Sequence, residues 1–413
     1  MPLRSFLRSL FLRRLRTTGR RIRSRQRLSK RVAAEALESR AMLSASFEFD
    51  TSGAFLNVDL DNNDAEIFLR TLPENGSHVL QFSQDGTAWS SDFNSDGNLN
   101  DLTLDQDFTI TVGTGLNASA DVLDPDDGAV HLVGLQTADK ALTVTSVVDL
   151  YIEGDITTET GHITLEVSDT INIAGGTLAH TQSRILIGEP DTGFLPDADS
   201  NSDGRVTITG GNVTIEATQT EKKSQRQVFG QDSITATIDI TDSDLSGDQV
   251  SVIASSQDLV YGDDSPTYSN YIQPYVGALV DGVLGGGSPA GLFFREAESA
   301  VTITDSTLTA TDDLQVNSLN HTDATATAIA ARPAYLDQEQ QTHAGYKFLN
   351  TLSVGVTSAT GTATIDISGA SSLTSILGDV AVKSDATVKS SATARTTQNI
   401  NKDSPAHEFG GSF

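Results

Sequence analysis

Apolar and polar residues alternate over short stretches in the middle of the chain, and the stretches recur at a nearly constant interval. Apolar–x–apolar pairs begin 21, 22 and 21 residues apart, at Leu142/Val144, Ile163/Leu165, Ile185/Ile187 and Val206/Ile208. Alternation with period two places both members of a pair on one face of a β-strand. The chain is therefore predicted to be all-β, with a parallel β-helix (a β-solenoid) whose rungs of about 21 residues cover one another.

A second series supports the same interpretation for residues 129–258. It comprises Leu150/Ile152, Ile171/Ile173 and Val213/Ile215, which are spaced 21 and then 42 residues apart. Connection rules for parallel strands favour a right-handed coil. A β-sandwich with evenly spaced strands is the alternative, although sandwiches seldom keep two series of pairs in register.

A longer interval follows. Ile238/Ile240, Val301/Ile303 and Ile365/Ile367 begin 63 and 64 residues apart, and each is followed by a second pair, at Val250/Val252, Leu314/Val316 and Val380/Val382. We interpret this as a repeat in which each unit is a rung with an added excursion. The predicted solenoid therefore continues over residues 299–400, after a Gly/Tyr-rich excursion at residues 259–298.

The flanking segments lack the regular interval. Residues 46–128 contain alternating strands and turn signals, and are predicted to form a small β-domain that covers the first rung. Residues 401–413 form a tail with no recognisable cap, which favours a fragment of a longer repetitive protein. Four tyrosines of the excursion could stack on sugar rings or attach the excursion to the solenoid: Tyr261, Tyr268, Tyr271 and Tyr275.

Composition narrows the function classes. The chain has no cysteine, which excludes a disulfide framework and thiol chemistry. No apolar run reaches the roughly 18 residues that a membrane span requires. The net charge is −28, although residues 1–40 hold 13 of the 27 basic residues. The remaining body is strongly acidic, which argues against a nucleic-acid partner and is compatible with divalent cations.

Residues 1–31 form a basic leader with almost no acidic residues. Six apolar residues in it fall at helical spacing: Leu3, Phe6, Leu7, Leu10, Phe11 and Leu15. A processed targeting segment explains this composition better than a folded element. Composition leaves open whether it is an export leader, an organelle transit peptide or a nucleic-acid-binding arm.

The residues after the leader choose among these. The stretch Leu37-Glu38-Ser39-Arg40-Ala41-Met42-Leu43 resembles the LEPR-XLL motif, found after a basic leader in very large predicted surface proteins, notably of planctomycete bacteria. Ser39 replaces the proline of the motif and Met42 replaces its first leucine. The resemblance covers residues 1–45 and implies an exported, cell-surface or extracellular protein. It implies no enzymatic activity.

Two segments share the pattern Asp-x-Asn-Ser-Asp-Gly, which is the first half of an EF-hand-type calcium loop. Their candidate metal ligands are Asp92, Asn94, Asp96 and Asn100 in the first segment, and Asp199, Asn201 and Asp203 in the second. Position 12 is Thr103 or Gly210 where a bidentate carboxylate is expected. The pattern therefore predicts weak calcium binding at most, and the alternative is a pair of ordinary Asp/Asn/Gly turns.

No catalytic motif is recognisable. The seven histidines are dispersed, and neither His-Glu-x-x-His nor Gly-x-Ser-x-Gly occurs. The sequence favours a non-catalytic, adhesin-like structural segment whose partners are cell-surface glycans or other surface proteins. The alternative is a polysaccharide-active β-helix enzyme, which would require a carboxylate cluster beside Arg226 or Arg295.

Overall fold

Strands and turns account for the part of the chain that the structure describes, and no helix occurs in it. The structure is a computed structural model. It describes residues 45–49, 54–60, 65–74, 76–95, 97, 102–114, 128–173, 179–188, 205–223, 229–260, 290–331 and 354–397. The chain divides into two units, Met1–Met42 and Leu43–Phe413, and all described residues belong to the second. The predicted leader and the LEPR-XLL-like motif lie outside the described residues, apart from Ala45.

Two sheets contain all the described strands. Sheet A has nine strands: β1 (Ala45–Phe49), β2 (Phe55–Leu60), β5 (Phe108–Thr114), β7 (Leu142–Ser146), β9 (Ile163–Ile173), β12 (Asn212–Lys223), β15 (Gln249–Val260), β18 (Leu314–Ala331) and β21 (Val380–Thr397). Sheet B has twelve: β3 (Glu66–Glu74), β4 (Ser77–Ser83), β6 (Ala129–Gln136), β8 (Asp149–Thr157), β10 (Ala179–Ile187), β11 (Val206–Thr209), β13 (Phe229–Thr241), β14 (Ser243–Gly247), β16 (Ala290–Thr304), β17 (Thr307–Ala310), β19 (Val354–Ser368) and β20 (Ser372–Ser375).

Parallel pairing dominates both sheets. Only β1 with β2 and β3 with β4 are antiparallel among the described strand pairs. Sheet B branches at β8, because its first half pairs with β10 and its end pairs with β11. From there β10, β13, β16 and β19 form one series of neighbouring strands, and β11, β14, β17 and β20 form the other.

The long repeat is confirmed by strand register. Ile238 pairs with Val301 and Val301 with Ile365 in sheet B. In sheet A, Val250 pairs with Leu314 and Leu314 with Val380. The predicted repeat therefore corresponds to successive returns of the chain to the same two sheets.

The uniform interval of 21 residues between rungs is wrong. Leu142 does pair with Ile163, 21 residues later in sheet A, but Ile185 lies in sheet B opposite Leu150. Later returns to sheet A take 50, 37, 64 and 66 residues, counted along Ile163, Val213, Val250, Leu314 and Val380. From Ile163 onward, the interval of about 21 residues separates consecutive strands β9, β10 and β11, which lie in different sheets.

The predicted small β-domain at residues 46–128 is not separate from the sheets that follow. Strand β2 pairs in parallel with β5 and β5 with β7, which continues sheet A, and β3 pairs with β6, which continues sheet B. At this end each sheet carries one antiparallel strand, β1 in sheet A and β4 in sheet B.

Apolar residues at alternate positions fill the space between the sheets. Neighbouring strands of sheet A contribute one fully buried column: Leu56, Ile110, Val144, Leu165, Ile215, Val252 and Val316. Sheet B contributes Ile152, Ile187, Ile240 and Ile303. Burial of these side chains is the main source of stability, at about 25 cal/mol per Å² of apolar area.

Part of the interior is polar, and it is hydrogen-bonded. The Asn320 side-chain amide donates to Ser256 Oγ at 2.7 Å, and Thr322 Oγ1 donates to Asn320 Oδ1 at 2.9 Å. All three residues are buried. Because each polar atom in these contacts has a partner, the interior tolerates the polar residues at little cost.

Candidate functional site

The first predicted calcium loop is held in place by an aromatic cluster. Phe93, the second residue of the loop, is 4% exposed, and its ring lies 4.8 Å from that of Phe82 and 5.3 Å from that of Phe47. Phe82 and Phe47 belong to β4 and β1. Burial of Phe93 against these strands leaves Asp92 and Asn94 at the surface end of both sheets.

A tight turn closes the first half of the loop. The Gly97 N–H donates to Asp92 Oδ2 at 3.0 Å, and the Asp92 N–H donates to Ser90 Oγ at 3.1 Å. Gly97 has a φ of 86° and Ser95 a φ of 57°, so the backbone turns through left-handed conformations at both residues. Calcium loops and ordinary Asp turns both use a bond from the sixth residue to the first carboxylate.

The second half of the loop lacks a strong ligand. Thr103, at position 12, forms an antiparallel bridge with Val79, and its neighbours Leu102 and Leu104 are fully buried. A hydroxyl supplies one oxygen where a calcium loop uses both oxygens of a carboxylate. Asp96 and Asn100 lie outside the described residues. Within the described ranges, no three His, Asp or Glu residues are grouped closely enough to hold a metal ion.

The candidate ligands of the second loop, Asp199, Asn201 and Asp203, lie outside the described residues. The two residues that follow the loop are described. Val206 is buried at the start of β11, and Arg205 makes a two-pronged contact with the Asp244 carboxylate at 2.7 and 3.1 Å. Arg205 also donates to the Asp305 carbonyl at 3.0 Å, so it joins three successive passages of the chain.

The sequence analysis missed this contact, because it joins residues on strands that pair only after folding. The pKa of the Asp244 carboxyl is lowered, chiefly by the hydrogen bond from Arg205. The pair therefore anchors the segment that follows the second loop to the neighbouring strand β14.

We expect Arg205→Gln to raise the pKa of Asp244 toward its ordinary value of 3.8. In the native protein the folded-state pKa is below the unfolded one. The stabilisation from this pair is therefore complete above the unfolded pKa and is lost as the pH falls through the folded pKa. Carboxyl carbon NMR of Asp244 between acid and neutral pH measures the shift. Arg184→Gln, elsewhere on sheet B, should leave the titration of Asp244 unchanged.

A nearby turn shows what Asp residues do in these loops without a metal. Asp85 Oδ1 accepts from the N–H groups of Thr87 and Ala88, both at 2.8 Å. These backbone hydrogen bonds, with smaller contributions from the Thr87 and Ser83 side chains, lower the pKa of Asp85. Asp85 is thus a turn former, and this is the alternative role for Asp92.

Two carboxylates face the same side of sheet A. Glu166 of β9 and Glu216 of β12 are register partners. Partial burial and the charge of Glu216 raise the pKa of Glu166. The sequence analysis did not identify this pair, because 50 residues separate its members along the chain.

The features that would favour an enzyme are not brought together among the described residues. Arg295 is 5% exposed between the sheets and donates to the Asp323 carbonyl at 3.2 Å. No group of three acidic or histidine residues in the described ranges lies beside it. Arg226 and the four tyrosines of the excursion lie outside the described residues.

One histidine is held in a buried stack. The His131 ring lies 4.3 Å from that of Phe68 and 4.9 Å from that of Tyr151, and its Nδ1 lies 2.9 Å from Glu153 Oε1. The three rings come from neighbouring strands β3, β6 and β8, so the stack reinforces sheet B.

Comparisons with known proteins give no family assignment. No family model matches the chain, and searches of curated proteins and of solved structures find no significant match. Within the described residues, no helix has the length and apolar character needed to cross a bilayer.

Proposed function

We propose that this chain is a non-catalytic structural segment of a large, exported cell-surface protein of adhesin-like character. Its body would be a parallel β-solenoid, and its partners would be surface glycans or other surface proteins. The mechanism is passive. Stacked strands hold a stiff surface in place, and the acidic, Thr-rich outer faces provide the contacts.

The observation that carries the proposal is the register of the long repeat. Ile238, Val301 and Ile365 follow one another across sheet B, and Val250, Leu314 and Val380 do so across sheet A. A chain that returns to the same two sheets in parallel has the connectivity of a solenoid. Each return covers the apolar face of the one before, and the assembly is stiff because its interior is packed throughout.

Export is supported by the N-terminal sequence. The basic leader is followed directly by Leu37-Glu38-Ser39-Arg40, which resembles the LEPR-XLL motif. The first described strand begins at Ala45, immediately after this region. Removal of the leader would therefore leave every described strand intact.

N-terminal sequencing of the protein recovered from its producing cells tests export. We expect a mature form that starts near Ala45 or Ser46 and reacts with a membrane-impermeant amine reagent in intact cells. Replacing Leu37 and Arg40 with Ala should retain the protein inside the cell, whereas replacing Arg13 and Arg14 with Ala tests whether basic charge alone suffices. A cytoplasmic protein that keeps residues 1–44 would contradict the proposal.

Calcium would act as a local clamp on the first loop, where Asp92 already accepts from Gly97. We expect calorimetric titration with calcium to show weak saturable binding that Asp92→Ala removes. Asp85→Ala, in the neighbouring turn, is the matched control and should retain binding. If the native chain produces no saturable heat, the loop is a plain turn and the structural proposal remains.

A further inference from the structure

Strand β21 forms the edge of sheet A and presents apolar residues to solvent. It pairs in parallel with β18 on one side, and no described strand pairs with its other side. Val380, Val382 and Val388 are 45%, 49% and 43% exposed, whereas Val316, the register partner of Val382, is fully buried. A long apolar edge with free backbone donors and acceptors favours pairing with a further strand.

The sequence of this edge is complementary to itself when it is reversed. Residues 379–389 read DVAVKSDATVK, with Ser384 at the centre. Antiparallel pairing about Ser384 would set opposite charges against each other and apolar residues against apolar ones. The resulting opposed pairs are Lys383 with Asp385, Asp379 with Lys389, Val380 with Val388 and Val382 with Ala386.

The two faces of the strand are consistent with these pairs. Val382 continues the buried column that contains Val316 and therefore lies on the inner face. Lys383 and Asp385 lie on the outer face, where their side chains are 62% and 51% exposed. The opposed valines would extend the core, and the opposed charges would lie at the surface, as cross-strand pairs require.

We propose that β21 pairs antiparallel with β21 of a second copy of this chain, about a twofold axis at Ser384. Charge complementarity identifies the occupant as a second copy, because the same short segment supplies both the cations and the anions. One-residue shifts would move the valines to the outer face, so the register is specified. A twofold contact of this kind closes on itself and gives a dimer.

The edge of sheet B is compatible with the same axis. Ser384 Oγ donates to the Ala363 carbonyl of β19, so the axis passes close to Ala363. Reversal about Ala363 sets Ile365 against Gly361 and Ile367 against Ala359, a large residue against a small one in each case. Ile367 is 40% exposed in the single chain and would be covered in the dimer. No like charges oppose each other in this second contact.

Charge reversal tests the register. On light scattering after size exclusion, we expect the native chain to be a dimer at micromolar concentration. Lys383→Asp and Asp385→Lys each oppose like charges across the axis and should weaken the dimer at least about tenfold. The double variant K383D/D385K restores opposite charges and should restore the dimer. Lys140→Asp, with the same change in net charge away from β21, should have no effect.

Folding is measured in parallel, because Lys383 and Asp385 also contact each other within one strand at 3.0 Å. Thermal unfolding of each single variant, followed by circular dichroism on dilute monomer, should stay close to that of the native chain. A single variant that melts early is replaced by Lys389→Asp, which opposes Asp379 and leaves the contact within the strand intact.

A crosslink tests the axis itself. The chain contains no cysteine, and the axis sets Ser384 directly opposite its copy. Opposed Cα atoms in antiparallel pairs lie about 4.5–5.5 Å apart, which a disulfide spans. Oxidised Ser384→Cys should run as a covalent dimer. Ser390→Cys, on the same face of β21, would oppose Gly378 and should remain uncrosslinked.

Three outcomes would overturn the proposal. The chain could be monomeric at every concentration, which would mean that another segment covers the edge. The dimer could ignore both charge reversals, which would place the contact elsewhere. Crosslinking at position 390 could equal that at position 384, which would show non-specific association.

Discussion

Val316→Asp is expected to lower the free energy of unfolding by more than about 4 kcal/mol, whereas Val382→Asp is expected to cost less than about 1 kcal/mol. The two valines are register partners on β18 and β21 and face the same way. They differ in cover, since Val316 is fully buried and Val382 is 49% exposed. A carboxylate at position 316 would lose its hydration without a partner, and one at position 382 would keep contact with water.

Urea unfolding of both variants, followed by far-ultraviolet circular dichroism on dilute monomer, measures this difference. Val382→Ala and Val316→Ala serve as matched controls for the loss of apolar volume without charge. Equal destabilisation by the two Asp variants would mean that position 382 is covered in the single chain. That result would also remove the free edge on which the proposed dimer depends.

Val382→Asp has a second expected effect, which separates folding from association. In the proposed dimer Val382 opposes Ala386 of the other copy, so a carboxylate would be buried there. The variant should therefore fold normally and yet remain monomeric. Position 382 thus reports on the end of sheet A in two ways that do not depend on each other.

The sequence predicted the register of β13, β16 and β19 because three copies of similar text keep their apolar pairs at the same place. It did not predict how β9, β10 and β11 are distributed, because alternation identifies a strand and its inner face without saying which sheet it joins. The same limit applies to residues 46–128, whose strands alternate like the others and lie in the same two sheets.

Polar residues inside the sheets were outside the reach of the sequence pattern. Asn320 and Thr322 lie at alternate positions that continue the inner face of β18, but they are not apolar, so the pattern ends before them. Their partners come from the neighbouring strand or the same strand only after folding. The Arg205–Asp244 contact was missed for the same reason, since its geometry requires the register of β11 with β14.

The corner between the two series of sheet B explains another feature of the sequence. Four successive passages turn there through a left-handed residue: Gly188, Asp242, Asp305 and Gly369, with φ of 107°, 44°, 51° and 67°. Asp tolerates the left-handed helical region near 57°, and only glycine is comfortable at 107°. The corner therefore requires glycine at position 188 and accepts Asp at the next two.

Gly188→Ala is expected to lower the free energy of unfolding by about 3 kcal/mol or more. A Cβ at position 188 would lie 1.8 Å from the Thr241 carbonyl oxygen and 2.8 Å from its carbon. The neighbouring strand β13 would have to move, although its register with β10 is fixed by nine residue pairs. Gly76→Ala is the matched control, because Gly76 has a φ of 89° and no described atom lies within 4 Å of the place that a Cβ would take there. It should cost only the left-handed conformation, about 1–2 kcal/mol. Urea unfolding of the two variants gives the difference, and equal costs would mean that β10 and β13 do not meet at this corner.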